Sequence, residues 1–307
     1  MTHLLHFYEA AQLHLNTMLA HDTLQRFVFE HAPIRGEIVR LDATWRAVLE
    51  RRHYPDPVRD LLGEFMAAAS LLAASIKFDG RLTMQVKGHG PVRLLVVECT
   101  SKQTLRAVAQ WDQDIAPGSI AELLGDGQLV MTIEPDDGER YQGIVALDGG
   151  TVAEVLEHYF ERSEQLNTRL WLAADTDQAA GMLLQRLPEE LMLDADAWDR
   201  AVHLGSTITR EELLTLPVPQ ILRRLYHEED IRLFSGHPVS FRCSCSRARV
   251  ESVLRMLGRD EVTSILAERG KVEVDCEFCG SHYELDRVDA EQLFAANHMT
   301  DPSPTRH

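Results

Sequence analysis

Four cysteines towards the C-terminal end of the chain could act together. Cys243-Ser244-Cys245 and Cys276-Glu277-Phe278-Cys279 form two close pairs about 30 residues apart. One short loop cannot set four sulfurs about 2.3 Å from a single ion, so a tetrahedral thiolate site draws ligands from at least two segments. Two pairs on separate turns meet that need. Cys276-Glu277-Phe278-Cys279-Gly280 has the spacing of a zinc knuckle, in which Gly280 at positive φ lets backbone N–H groups point at the sulfurs. Cys243-x-Cys245 is tighter than usual. Thiolates are the only complete ligand set in the sequence, which predicts one Zn2+ per reduced chain on Cys243, Cys245, Cys276 and Cys279. His237 and His282 lie near the pairs, but four cysteines already fill a tetrahedron. The fifth, Cys99, follows the apolar run Leu94-Leu95-Val96-Val97. It reads as a buried strand thiol, because no nearby motif supplies the base a nucleophile needs.

Two uses of such a site remain open on local chemistry alone. The metal can be a structural staple, since the binding energy of a structural zinc site is folding energy. It can equally be a switch. Four thiolates concentrate negative charge on oxidisable sulfur, and Arg242, Arg247 and Arg249 could lower the thiol pKa values. Each sulfur also has a resolving partner beside it, so oxidation could close disulfides and eject the ion.

Charge and hydropathy narrow the classes. The 307 residues hold 31 Lys and Arg against 48 Asp and Glu, a net charge of −17, which disfavours gripping a phosphate backbone. The most apolar stretch, Phe65 to Ile76, falls short of the roughly 20 residues a membrane span needs. Residues 1–20 contain no Lys or Arg and are interrupted by Glu9 and three histidines, unlike a secretory leader. The expectation is a cytoplasmic protein in which the cysteines are not a permanent disulfide frame. A zinc ribbon holding nucleic acid is opposed by the net charge. A thiol-disulfide oxidoreductase would need Cys276-x-x-Cys279 to open a helix, whereas Tyr283-Glu284-Leu285 follows as strand.

The elements that position the cysteines read as an α+β chain. Asp22 is expected to cap a helix over Leu24 to Glu30, followed by a strand at 35–41 and a helix at 44–52. Pro55 and Pro57 start a long helix over Val58 to Ile76, whose Ala67, Ala68, Ala69, Ala73 and Ala74 suit close backbone approach to a sheet. Strands are expected at 81–86, 92–100, 105–111, 128–134, 140–147, 168–174 and 182–187, with helices at 119–124 and 151–162. After Pro188 acidic residues interleave with leucines in short helical pieces broken by Pro217 and Pro219. Their stripes (Leu213, Leu214, Leu216; Ile221, Leu222, Leu225, Tyr226) must lie on the first domain or the last. Trp198, Leu191 and Leu193 read as packing residues. The cysteine module follows, with helices at 246–257 and 260–268 and a strand at 271–274. The organisation is thus an N-terminal extension (1–20), a mixed helix and sheet core (21–187), an amphipathic helical linker (188–233), a four-cysteine zinc domain (234–298) and a tail (299–307).

Phe241-Arg242-Cys243-Ser244-Cys245-Ser246-Arg247 and Cys276-Glu277-Phe278-Cys279-Gly280-Ser281-His282-Tyr283 resemble the zinc-binding signature of the 33 kDa heat shock protein family, the redox-regulated bacterial holdase chaperones. Arg35-Gly36-Glu37, Lys77-Phe78-Asp79-Gly80, Tyr159-Phe160-Glu161-Arg162-Ser163-Glu164-Gln165-Leu166 and Leu225-Tyr226-His227-Glu228-Glu229 resemble family segments in the same order. The resemblance implies an ATP-independent chaperone rather than an enzyme, inactive while reduced and zinc-loaded. It further implies disulfides linking Cys243 with Cys245 and Cys276 with Cys279 on oxidation, release of zinc, unfolding of the small domain and exposure of a surface for unfolded proteins. The active form would be a homodimer, with neither nucleic acid nor membrane as partner.

Overall fold

The computed structural model describes residues 22–112, 115–188 and 194–295. The expected extension, the tail, Leu191 and Leu193 lie outside the described residues. The described chain is α+β and separates into two compact units, Met1–Arg242 and Cys243–His307.

The first unit opens with β1 (Thr23–Phe29), β2 (Ile34–Leu41), α1 (Ala43–Leu49) and α2 (Asp56–Ser75), then a run of antiparallel strands: β3 (Gly80–Lys87), β4 (Val92–Thr100) and β5 (Thr104–Trp111). The short α3 (Ile120–Leu124), β6 (Gln128–Pro135), β7 (Tyr141–Ala146), α4 (Val152–Tyr159), β8 (Thr168–Ala174) and β9 (Ala179–Arg186) follow. One sheet runs β3 between β4 and β6, with β5 and β7 outside them. The other places β2 between β1 and β9, with β8 beyond β9. Helix α2 is buried between them. Gly63 makes one close approach possible, since a Cβ there would sit 2.4 Å from the Cβ of Ala174. Its far end is capped by cations suited to the negative pole of the helix: Arg26 Nη2 donates to the Ala74 carbonyl (2.5 Å) and Arg35 Nη2 to that of Ser75 (3.1 Å).

The expected helix after Asp22 is a strand. Leu24 and Phe27, three residues apart, imitate one helical face, but they pack in different cores on opposite faces of the sheet. Asp22 does cap a helix, only not its own: its carboxylate accepts from the backbone N–H groups of Asp42 and Thr44 (both 2.9 Å), at the start of α1.

Period-two alternation gives the second sheet two apolar faces. Along β9, Ala179 and Leu183 face the core around α2, while Ala180, Met182 and Leu184 face the other way. That outer face, with Phe27, Phe29 and Ile38, is covered by the acidic linker, which folds as α5 (Ala197–Gly205), α6 (Arg210–Thr215) and α7 (Val218–Leu225). Leu213, Leu214, Val218, Ile221, Leu222, Leu225 and Tyr226 are buried there. Trp198 packs at the margin. The linker therefore lies on the first unit.

The compact-unit boundary falls at 242/243. Residues after the linker extend the first unit's sheets as β10 (Ile231–Leu233) and β11 (His237–Pro238) on β1, and β12 (Ser240–Phe241) parallel to β5. Val239 is buried, and the Arg51 guanidinium lies 4.3 Å from the centre of the Phe241 ring.

The second unit contains α8 (Arg247–Leu257), α9 (Arg259–Arg269), the hairpin β13 (Val272–Asp275) and β14 (His282–Leu285), and α10 (Arg287–Ala295). Its described core is Val250, Leu254, Val262, Leu266, Val272, Leu285, Ala290 and Leu293. A core of that size sustains only a marginal fold without a staple.

The seating of α2 can be checked at Gly63. Gly63→Ala is expected to lower the urea unfolding free energy by about 1–3 kcal/mol, because the added methyl meets a side chain with no freedom to move. An unchanged midpoint and slope would contradict this packing.

Candidate metal centre

Cys243 and Cys245 lie in irregular chain just before α8, whose first turn is capped by the Ser246 side chain accepting from the Arg249 N–H. Cys276 and Cys279 occupy the turn of the β13–β14 hairpin. There the Cys276 carbonyl accepts from the N–H groups of Cys279 (3.3 Å) and Gly280 (2.7 Å), and Cys276 N–H donates to the Ser281 carbonyl (2.9 Å). Gly280 has φ +70°, a conformation that any larger residue would strain.

These turns bring the four sulfurs within 4.8 Å of one another. The Sγ atoms of Cys243 and Cys276 are 3.6 Å apart, and those of Cys245 and Cys279 are 3.3 Å apart. A tetrahedron with metal–sulfur bonds of about 2.3 Å has edges of about 3.8 Å, so the cluster has the dimensions of a four-thiolate cage and could hold a metal ion. None of the four is in a disulfide, and all are half-buried.

The surroundings favour charge on some sulfurs more than on others. Burial pushes the Cys279 thiol up, but Ser281, through its hydroxyl (3.2 Å) and its backbone N–H, together with the neighbouring thiols, outweighs burial and holds it at about 6. Burial pushes Cys276 up to about 12, against the pull of the Cys279 and Phe278 N–H groups. Tyr283 donates its hydroxyl to Cys245 Sγ (3.2 Å). Two of the arginines expected to activate the thiols, Arg247 and Arg249, are engaged by other groups. Arg247 pairs with Asp289 (2.7 Å) and Glu251 (3.2 Å), and Arg249 donates to Ser244 Oγ (2.5 Å). Ser281 and Tyr283 stand in the second signature, but the sequence alone gives neither a role at the sulfurs.

The other singled-out residues stay outside the cluster. Cys99 is fully buried, with its thiol pushed well above its ordinary value by burial, and Gln103 Oε1 lies 3.8 Å from its sulfur. His237 pairs in β11, and His282 Nδ1 lies 2.7 Å from Asp275 Oδ1. Cys279 leads into strand β14, not into a helix. Among the described residues, no helix is long and apolar enough to cross a membrane.

An α+β body carrying a separate four-cysteine module, with an acidic helical cover over one sheet, defines a narrow class of proteins. The profile of the Hsp33 protein family matches residues 22–286, and the chain belongs to that family of chaperones. It is 51% identical over 286 residues to the 33 kDa chaperonin of Nitrosococcus oceani, an alignment spanning 93% of this chain and 99% of that one. With the 33 kDa chaperonin of Chromobacterium violaceum the identity is 49% over 290 residues, covering 94% and 98%. The crystal structure of the 33 kDa chaperonin of Thermotoga maritima shares the fold, with TM-score 0.78 at 22% identity, over 91% of this chain and all of that one.

Elemental analysis of the reduced chain is expected to give one metal ion per chain. Cys99→Ser should leave that stoichiometry unchanged, while Cys243→Ser or Cys276→Ser should lower it well below one. Full loading of either of the latter would contradict the four-sulfur cage.

Proposed function

We propose that the chain is a redox-regulated, ATP-independent holdase, inactive while its four clustered cysteines are reduced and bind one Zn2+. The reading rests on the convergence of Cys243, Cys245, Cys276 and Cys279 within a unit whose own core is marginal. Zinc, a d10 ion, suits four thiolates in a tetrahedron, and its binding supplies folding free energy to the module.

Oxidation removes the ligands. Cys243 pairs with Cys245 and Cys276 with Cys279; in forming each disulfide two thiolates give two electrons to an oxidant such as hydrogen peroxide, which takes up two protons from solvent and leaves as two waters. In the folded cluster Cys276 interacts with both Cys243 and Cys279, and Cys245 approaches Cys279. Once the module loosens, the smallest loops are those within each pair, and loop-closure entropy favours them. Sulfurs joined this way no longer ligate zinc, and the module loses its staple.

Unfolding then passes along the chain. Cys243 follows β12 by two residues, and β10, β11 and β12 span only three, two and two residues, so few backbone bonds hold the path to the linker. Release of α5 to α7 exposes Phe27, Phe29, Ile38, Met182 and Leu184 together with the linker's own apolar stripes. Such a surface binds unfolded proteins, while a net charge of −17 keeps the complex soluble. No phosphate-cradling Gly-x-x-x-x-Gly-Lys loop is present in the sequence, so holding draws on binding energy alone. In this reading the active form is a cytoplasmic homodimer that catalyses no reaction and has neither nucleic acid nor membrane as partner.

Light scattering of a thermally unfolding client provides the test. Peroxide-treated chain, shown by peptide mapping to carry the two within-pair disulfides, should suppress aggregation without nucleotide. The reduced zinc-loaded chain should not, and Cys276→Ser with Cys279→Ser should abolish the response to oxidant. Equal protection by reduced and oxidised chain would reduce the metal to a staple.

A further inference from the structure

If the linker is a removable cover, something must hold it down besides apolar contact, which is non-directional and cannot fix a register. The apolar residues of α6 and α7 are joined through a junction poor in donors, because Pro217 and Pro219 carry no N–H. The junction's carbonyls are met from the sheet. Arg40, on β2, donates through Nη2 to the Leu214 carbonyl (2.5 Å) and to Gln178 Oε1 (3.1 Å), and through Nη1 to the Leu216 carbonyl (2.9 Å). One planar guanidinium thus ties the end of α6 to the turn between β8 and β9.

The other end of α6 is fastened in the opposite sense. Arg210, its first residue, donates to the Ala174 carbonyl at the end of β8 and lies 3.7 Å from Asp60 Oδ2 on α2. A six-residue helix has little stability of its own, and here both ends are fixed by arginine bonds to groups distant in sequence. Neither guanidinium takes part in the apolar packing around α2.

We propose that Arg40 is the positioning residue that keeps residues 206–226 on the sheet and thereby sets the threshold at which the chaperone becomes active, with Arg210 as its counterpart. This rests on the holdase reading and adds to it a restraint that acts independently of the cysteines. Loss of Arg40 strands two carbonyls at a half-buried junction and frees the cover while the metal cage remains intact. Lysine, a point donor on a flexible stem, can meet one of the three acceptors but not all of them together.

The test uses full-length, reduced, zinc-loaded protein. Trypsin cuts after Arg223 and Arg224 only when α7 leaves the sheet, so the cleavage rate reads docking without any oxidant. Arg40→Met is expected to raise that rate about tenfold or more over wild type at one zinc per chain, with Arg40→Lys intermediate, and to suppress client aggregation in the reduced state. Arg210→Met should act in the same direction and serves if Arg40→Met folds poorly. A merely structural role would lower the protection of β3 and β4 in hydrogen exchange along with the linker, and that result would overturn the proposal. So would wild-type cleavage rates in both variants, or a freed linker in a reduced protein that still fails to hold clients while oxidised wild type does. Failure of oxidised wild type to hold clients would count against the holdase reading, and the cleavage rates would still decide the role of Arg40 in docking.

Discussion

A β-sheet with two apolar faces needs two covers, and the rest of this molecule follows from how different those covers are. On one face lies α2, a long helix rich in alanine, buried along its length and fitted against the sheet at Gly63. On the other lie three short helices, the longest of nine residues, whose outward faces are polar and charged and whose contacts with the sheet are a single apolar layer plus two arginine clamps. Burying Phe27, Ile38, Met182 and Leu184 favours docking by roughly 1.5–3 kcal/mol per side chain. Ordering the linker backbone opposes it. The second cover is the lighter of the two, and in the proposed function it is the one displaced.

The cysteine module has the converse character. Its described core of eight small and medium apolar residues is too slight to hold two helices, a hairpin and a third helix in place. Four sulfurs drawn within 4.8 Å of one another would be mutually repulsive as thiolates, and a divalent cation turns that repulsion into cohesion. In the proposed redox reading, a fold held by oxidisable ligands is joined to a displaceable cover through strands of two or three residues, and surface exposure would respond to oxidant.

Much of this was legible in the sequence, and what was not has identifiable physical causes. The cysteine spacing, the Gly280 turn and the small-residue helix are local patterns, and the linker's stripes announce amphipathic helices whatever they dock on. The strand at Thr23–Phe29 was misread because Leu24 and Phe27 sit three apart, and only pairing with β2 on one side and β10 and β11 on the other fixes them on opposite faces. The two-residue strands β11 and β12 carry too little pattern to be read from sequence. Arg40 looked like an ordinary polar strand residue, and its acceptors in the linker lie more than 170 residues away. Likewise Arg247 and Arg249 stand beside the cysteines in sequence yet direct their charges to Asp289, Glu251 and Ser244.

The central claim is that the metal-dependent module keeps the linker docked. Hydrogen exchange after a chelator strips the metal from fully reduced protein tests it without any disulfide chemistry. The account predicts that amides of Leu213 to Tyr226 lose protection together with those of the module, while Leu95 to Val97 in β4 stay protected. A linker that remains protected after the metal has gone would contradict it.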